Sequence, residues 1–531
     1  MDTDTASDAA ASAMDVEMEE SESMNKRVAT GKTKTKPHYE NQKVTCILCQ
    51  EEQLSWGEEN KEVLVMASYV TKSAILSRFD TSTEKDRNSI CSNTQTPSRF
   101  GCSPSVSSCG HFMHAKCYQK FFESLVTKTR DNIFRQILNY DVERQEYLCP
   151  ICERLCNNVL PVIPPVTSYL KTTSSPNSDF SKWLTATKDI LSQKYLDEPD
   201  GGASSAFPHL IEDIIRLVLK KPTLALKDTP SFPKLPEQFR NMTTAFANNT
   251  YSKSLNAFPS EEDAKMIHLN LQSLIVSLHL SQCGADDVVD QILHHTKRQK
   301  MDTLRALVRV CLMLPFTLCH KASNPLMKCL RSNAIYILSV LLKSDIKDKS
   351  FNDFDAFGLL VFCIVSYPAL TYPDRDANFS IGKEDQNILV LCYVAHIVQI
   401  LINYPISSLE QLPMEKFGLK AQDDKAIRQL TKKISSYLGV EYITKTQQIS
   451  KKDENGSKDT ISNILKKKSL RFLRCASLFF HFYTDIPLPE GKPGKVNSLE
   501  TSYEALTSYL GLPNTFSKLI ETPGVAEVIE R

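Results

Sequence analysis

Eight cysteines and histidines between Cys46 and Cys152 constrain this chain more than any other feature: Cys46-x2-Cys49, Cys109-x-His111-x2-His114-x2-Cys117 and Cys149-Pro150-x-Cys152. Cysteine sulfur and imidazole nitrogen are the donors that zinc takes at four tetrahedral corners, and a Cys-x2-Cys turn presents two of them without straining the backbone. Three pairs have that spacing, Cys46 with Cys49, His114 with Cys117 and Cys149 with Cys152, while Cys109 and His111 stand one residue apart. Eight donors complete two four-coordinate ions and leave none for a third. The alternative is a set of ordinary buried thiols and histidines. In a chain read as intracellular, Cys/His clusters at this spacing favour metal over disulfides.

The rest of the composition narrows the field by exclusion. A chain of 531 residues is long enough for about three or four domains, and 41% hydrophobic with 24% charged residues is ordinary soluble usage. A net charge of +1 gives no global field for nucleic acid or an anionic membrane. No apolar leader follows Met1, and the most apolar segment, Ile388 to Ile402, is interrupted by His396 and Gln399, so it reads as a buried helix rather than a membrane span. A cytoplasmic or nuclear location is expected. The GKTKTK patch at 31–36 reads first as a solvated tail and second as a nuclear address.

Residues 1–43 pass from an acidic Ala/Ser-rich run to a basic one and lack the apolar content to order themselves. The Cys/His module occupies 44–160. Cys49 and Cys109 are separated by a long insert whose residues 86–108, rich in Ser, Thr, Asn and Pro, have the composition of a surface loop. Cys91 and Cys102 lie in it and read as free thiols; a third site with Cys156 lacks a fourth ligand. A linker covers 161–180, and from 181 to 531 the pattern is helical, with few glycines and no fixed repeat. Asp179 can cap a helix carrying Trp183, Leu184, Ile190 and Leu191, and Leu210 to Val218 marks the next. Further runs are expected at 260–281, 285–320, 325–343, 354–366, 385–403, 422–437, 460–483 and 498–510, with a loop at 445–460. Lys467, Arg471 and Arg474 share one helical face, which reads as solvated.

Three cysteines, two histidines and three cysteines in that order resemble the RING-H2 domains of ubiquitin ligases. The stretches SCGHFMHAKCYQKFFESLV at 108–126 and EYLCPICERLCNN at 146–158, with the proline-rich exit, resemble the RING of the UBR family of N-recognins. LFFHFYTDIPLP at 478–489 and YLGLPNTFSKL at 509–519 resemble that family's helical C-terminal half. The resemblance implies a mainly α fold in which a small two-zinc cross-brace module precedes an all-α scaffold. It assigns Cys46, Cys49, His114 and Cys117 to one zinc and Cys109, His111, Cys149 and Cys152 to the other, both structural.

It further implies a RING-type ubiquitin transferase of the N-degron degradation pathway, acting without a covalent ubiquitin intermediate. Its partners would be a ubiquitin-conjugating enzyme, ubiquitin and protein substrates. Leu48, Phe121 and Pro150 would line the groove for the conjugating enzyme. Two departures stand out. The position after the last zinc cysteine, which in many RINGs carries a cation bonding enzyme and ubiquitin, is Glu153, with Arg154 one residue late as the candidate ubiquitin contact. Nor is there a second Cys/His-dense block of the kind that grips destabilising N-termini, since Cys283, Cys311, Cys319, Cys329, Cys363, Cys392 and Cys475 are scattered. A non-catalytic zinc scaffold is the main competing reading. A zinc nucleic-acid binder is disfavoured by the lack of a basic stripe around the module. Cys475, beside Arg474, is the one faint candidate for a thioester-forming cysteine.

Overall fold

The computed structural model describes residues 43–55, 62–73, 103–131, 139–165, 179–196, 298–318, 325–342, 355–371, 384–402, 419–438, 460–489 and 499–530, with short helical pieces between 238 and 278. Lys43–Arg531 form one compact unit, and Met1–Gln42, a separate unit, lie outside the described residues. Also outside them are Cys91, Cys102, the helix expected at Leu210 to Val218, linker residues 166–178 and the interval 445–459.

The first part is built from strands. A hairpin of β1 (Lys43–Thr45) and β2 (Glu52–Leu54) is followed by β3 (Leu64–Ser73), β4 (Ser103–His114), β5 (Tyr147–Leu148), β6 (Leu155–Cys156) and β7 (Asn158–Pro161). β3 is the centre of an antiparallel sheet of order β4-β3-β7, and β5 pairs with β6. This corrects the expectation that all of 86–108 is surface loop, because Ser103 to Ser108 belong to β4. Their serine-rich sequence has low strand propensity, but each pairs across β3, from Ser73 to Ser68, and pairing overrides a weak intrinsic preference. β3 is buried on both faces from Leu64 to Ser68, so its apolar start, Leu64 to Ala67, shows no alternation from which a strand is read.

Helix α1 (Ala115–Asp131) follows β4 directly and sets Tyr118, Phe121, Phe122 and Leu125 on one stripe against the fully buried Tyr147. Ring centroids lie 5.5 Å from Tyr118, 6.1 Å from Phe121 and 6.3 Å from Phe122 to Tyr147. The Tyr147 hydroxyl donates to the Asn158 carbonyl at 3.1 Å, so the buried ring leaves no orphan polar atom.

The remaining elements are helical: α2 (Asp179–Leu196), α3 (Arg298–Leu318), α4 (Pro325–Leu342), α5 (Ala356–Ser366), α6 (Pro368–Thr371), α7 (Glu384–Ile402), α8 (Leu419–Leu438), α9 (Ile461–Thr484), α10 (Leu499–Tyr509), α11 (Phe516–Glu521) and α12 (Val525–Glu530). The expected runs from 325 onward match α4, α5, α7, α8, α9 and α10 to within three residues at either end. Asp355 caps α5 by accepting from the Phe357 and Gly358 amides, and Thr460 caps α9 through the Asn463 amide. α7 is long and apolar enough to cross a membrane, yet 83% of its apolar window is buried inside the protein, as expected of a core helix. It packs against α5, α9 and α12. α3 lies across β4, joining the strand-built part to the helices.

Candidate metal centre

Two turns of the same design present the paired cysteines. Between β1 and β2, Gln50 N donates to the Cys46 carbonyl at 2.9 Å and Cys46 N to the Glu51 carbonyl at 2.9 Å. Between β5 and β6, Glu153 N donates to the Cys149 carbonyl at 2.9 Å and Cys149 N to the Arg154 carbonyl at 3.0 Å. In both, the residue after the second cysteine is left-handed, Gln50 with φ 62° and Glu153 with φ 55°.

Cys109 and His111 come from a bulge. Met66 pairs with Phe112 and Ser68 with Ser108, so three residues of β4 face Ala67 alone. Gly110, with φ +77°, makes the turn that lets its two neighbours serve one centre, a conformation that side chains rarely adopt. His114 ends β4 and Cys117 lies in the first turn of α1, so the junction of strand and helix supplies the remaining pair.

These elements gather the eight residues into two groups, Cys46, Cys49, His114 and Cys117, and Cys109, His111, Cys149 and Cys152. Within each, all ligand atoms lie within 4.8 Å of one another. Donors about 2.0–2.3 Å from a shared tetrahedral ion stand roughly 3.3–3.8 Å apart. His114 Nδ1 lies 3.3 Å from Cys49 Sγ and 3.8 Å from Cys117 Sγ, and His111 Nδ1 lies 3.5 Å from Cys149 Sγ. These imidazole–thiol separations suit donors to a shared ion, thiols being weak hydrogen-bond donors.

The electrostatics show what a bound ion would have to overcome. Burial raises Cys117 to about 12 and Cys149 to about 11, and Cys109 is pushed up by its contact with Cys156 and by burial. Cys46 is the exception. Burial opposes its ionisation, but the amides of Cys49, His114 and Leu48 more than offset it, and its thiol is lowered. A bound cation would reverse that balance and let these crowded thiols ionise together. Each group therefore can hold a metal ion.

Of the residues expected to line a groove, Leu48 and Phe121 are half-buried and pack against the same buried cluster, and Pro150 is exposed. Sequence reasoning passed over Ile151. At 60% exposure it is the exposed large hydrophobic among the described residues, and it occupies in its turn the place that Leu48 occupies in the other, just before the second cysteine. That positional repeat was the available signal. Arg154 is exposed, and its Nη1 donates to the Ser108 carbonyl on β4 at 3.2 Å. Cys156 is buried beside Cys109 and belongs to neither group. Cys311, Cys363, Cys392 and Cys475 are buried among the helices, which removes Cys475 as an accessible nucleophile.

The chain is similar to the E3 ubiquitin-protein ligase UBR2 of Homo sapiens, 28% identical over 507 residues that make up 93% of this chain and 27% of that protein. It is 26% identical over 514 residues to the E3 ubiquitin-protein ligase UBR1 of Homo sapiens. A shorter stretch of 75 residues, 14% of this chain and 4% of the relative, is 37% identical to the E3 ubiquitin-protein ligase PRT6 of Arabidopsis thaliana. The chain thus spans about a quarter of the length of the first two relatives, 27% in each case. No solved structure matches it. The family model described as Proteolysis_6 C-terminal matches residues 239–531, more than half of the chain. With the relatives aligned across nearly its whole length, the chain belongs to the Proteolysis_6 C-terminal family, within the UBR family of N-recognins.

Proposed function

We propose that this chain carries the RING-type transfer module of a ubiquitin ligase in the N-degron degradation pathway, acting in the cytoplasm. The observation that carries the reading is the pair of interleaved Cys/His groups with donor separations suited to tetrahedral zinc. Zinc at each group would supply a structural cross-link, because four protein ligands leave no open position to activate water.

The chain's own residues then do the rest. The two matching turns hold Leu48 and Ile151 at equivalent places, and α1 contributes Phe121. Together with Pro150 they offer the conjugating enzyme an apolar contact on a rigid base. Ile151 is exposed on a turn fixed by backbone hydrogen bonds, and this suits it to an apolar contact with a partner. Transfer itself is positioning. Restraining a flexible ubiquitin thioester so that a lysine amine can attack converts conformational freedom into effective concentration, with no bond formed to the ligase.

The test is discharge of ubiquitin from a charged conjugating enzyme to free lysine, run over a panel of such enzymes. The full chain accelerates discharge with at least one of them, and Cys149→Ser, which removes one ligand of the second group, abolishes the acceleration. A chain that holds its metal and accelerates none is a zinc-held scaffold instead.

A further inference from the structure

We propose that α3 is a rigid mount that fixes the orientation of the metal-binding module on the helical region, with Arg309 as its positioning residue. The inference goes beyond the ligase reading, and its functional arm rests on that reading.

The mount is continuous along one helix. Near the start of α3, the side chain of Gln299 abuts Gly110, between Cys109 and His111; a Cβ added to Gly110 would meet Gln299 Cγ at 3.3 Å. Ten residues on, about 15 Å along the axis, Arg309 is 3% exposed in its side chain and reaches three places at once. Its Nη1 donates to the Ile163 carbonyl at 2.9 Å, just beyond β7. Its Nε donates to the Phe482 carbonyl at 2.9 Å, and its Nη2 pairs with Asp485 at 2.7 Å. Asp485 ends α9 in a left-handed conformation, with φ 57°, and also pairs with Arg305 at 3.2 Å. One planar guanidinium therefore ties the module's exit strand to the end of α9, a task for which a lysine has too few fixed donors.

Two more contacts brace the module from the helical side. Val63 N, at the foot of β3, donates to Gln238 Oε1 at 3.1 Å, and Asn158 Nδ2 donates to Thr250 Oγ1 at 3.1 Å. Met242 is itself a member of the module's buried core. A sheet whose exit strand, entry strand and ligand-bearing bulge are each bonded or packed to helices has no freedom to swivel. The contacts made at Leu48, Pro150 and Ile151 are on the other turns, so the mount leaves them open while setting where they face relative to the helices.

The experiment uses the full chain with Arg309→Lys, which keeps a charge for Asp485 but loses the fork, and with the double variant Arg309→Met, Asp485→Asn, which removes both members of that ion pair and leaves Arg305 paired with Asp302 at 2.9 Å. Hydrogen exchange is read peptide by peptide. The mount requires amides of 158–163 to exchange about tenfold faster in both variants while α5 and α7 stay protected. If only 482–486 changes, Arg309 serves the α9 terminus alone and the proposal is wrong. In parallel, discharge to free lysine is titrated against conjugating-enzyme concentration, and the chain's own modified lysines are mapped by mass spectrometry. The rate and half-saturation for free lysine stay within about twofold of the parent, whereas the set of self-modified lysines shifts. An unchanged set, or a free-lysine rate that falls with it, overturns the positioning role. Should the parent chain discharge no conjugating enzyme, the ligase reading fails, and the exchange result by itself decides the mount.

Discussion

After the second cysteine of each Cys-x2-Cys turn the backbone enters the left-handed region, at Gln50 and at Glu153. A non-glycine residue there costs roughly 1–2 kcal/mol, which the turn's hydrogen bonds and ligands must offset. Glu153 is exposed, so its carboxylate can be replaced without loss of packing. A carboxylate cannot donate the charge-assisted bonds of a guanidinium, each about 1.5–3 kcal/mol. Glu153→Arg should raise the rate of discharge several-fold. Arg154 spends only one of its five N–H donors on the Ser108 carbonyl, and Arg154→Ala should lower the rate about tenfold. Single-turnover discharge measures both; if neither moves it, ubiquitin is held elsewhere. Leu48→Ala and Ile151→Ala should each lose discharge yet keep the metal, read by elemental analysis beside the rate. The pairing of the ligands is written in the Cys-x2-Cys and His-x2-Cys spacings, while their division into two sets came with the resemblance to RING-H2 domains. Leu48 and Ile151 hold the same place in their two turns, just before the second cysteine, an equivalence that the spacing itself carries.

The helices were legible and the strands were not, for a physical reason. α5, α7 and α9 are apolar runs with caps at Asp355 and Thr460 or an acidic first turn at Glu384 and Asp385, and such marks are local. β4 depends on its partner across the insert, and nothing local in Ser-Pro-Ser-Val-Ser-Ser announces a strand. α7 also conceals a buried carboxyl. Asp385 is fully enclosed, burial pushes it up to about 8, and the Tyr483 hydroxyl, donating at 3.0 Å, only partly pulls it back. An unfolded aspartate titrates near 3.9. Between about pH 4 and pH 8 the folded chain therefore holds a proton that the unfolded chain has released. The contribution to stability is fully present below about pH 4 and is lost as pH rises through about 8. Asp385→Asn keeps an acceptor for Tyr483 and removes that titration. Urea midpoints at acid and alkaline pH should show the parent losing on the order of a few kcal/mol more than the variant. Parallel curves would mean that Asp385 reaches water in the folded protein.

Across the molecule, the polar punctuation after Pro161 suggested a module joined to its scaffold by a linker. The described contacts add a shared boundary: Gln238, Thr250, Met242, Gln299 and Arg309 all touch the strand-built part. None of these partners lies close in sequence to the residues it touches, which is why spacing and composition did not reveal them. Removing metal should therefore loosen more than residues 44–160. Structural zinc contributes about 10–16 kcal/mol in finger peptides, so chelation should unfold the module, and exchange should also rise in α3 and at the end of α9 while α5 and α7 remain protected. Protection of α3 unchanged by chelation would show that the helices stand without the module. All of this depends on two four-ligand metal centres, and the direct measurement is zinc per chain by elemental analysis of protein purified without added metal. The account predicts two, falling to one when Cys49→Ser removes a ligand of the first group. Fewer than two in the parent chain would contradict it.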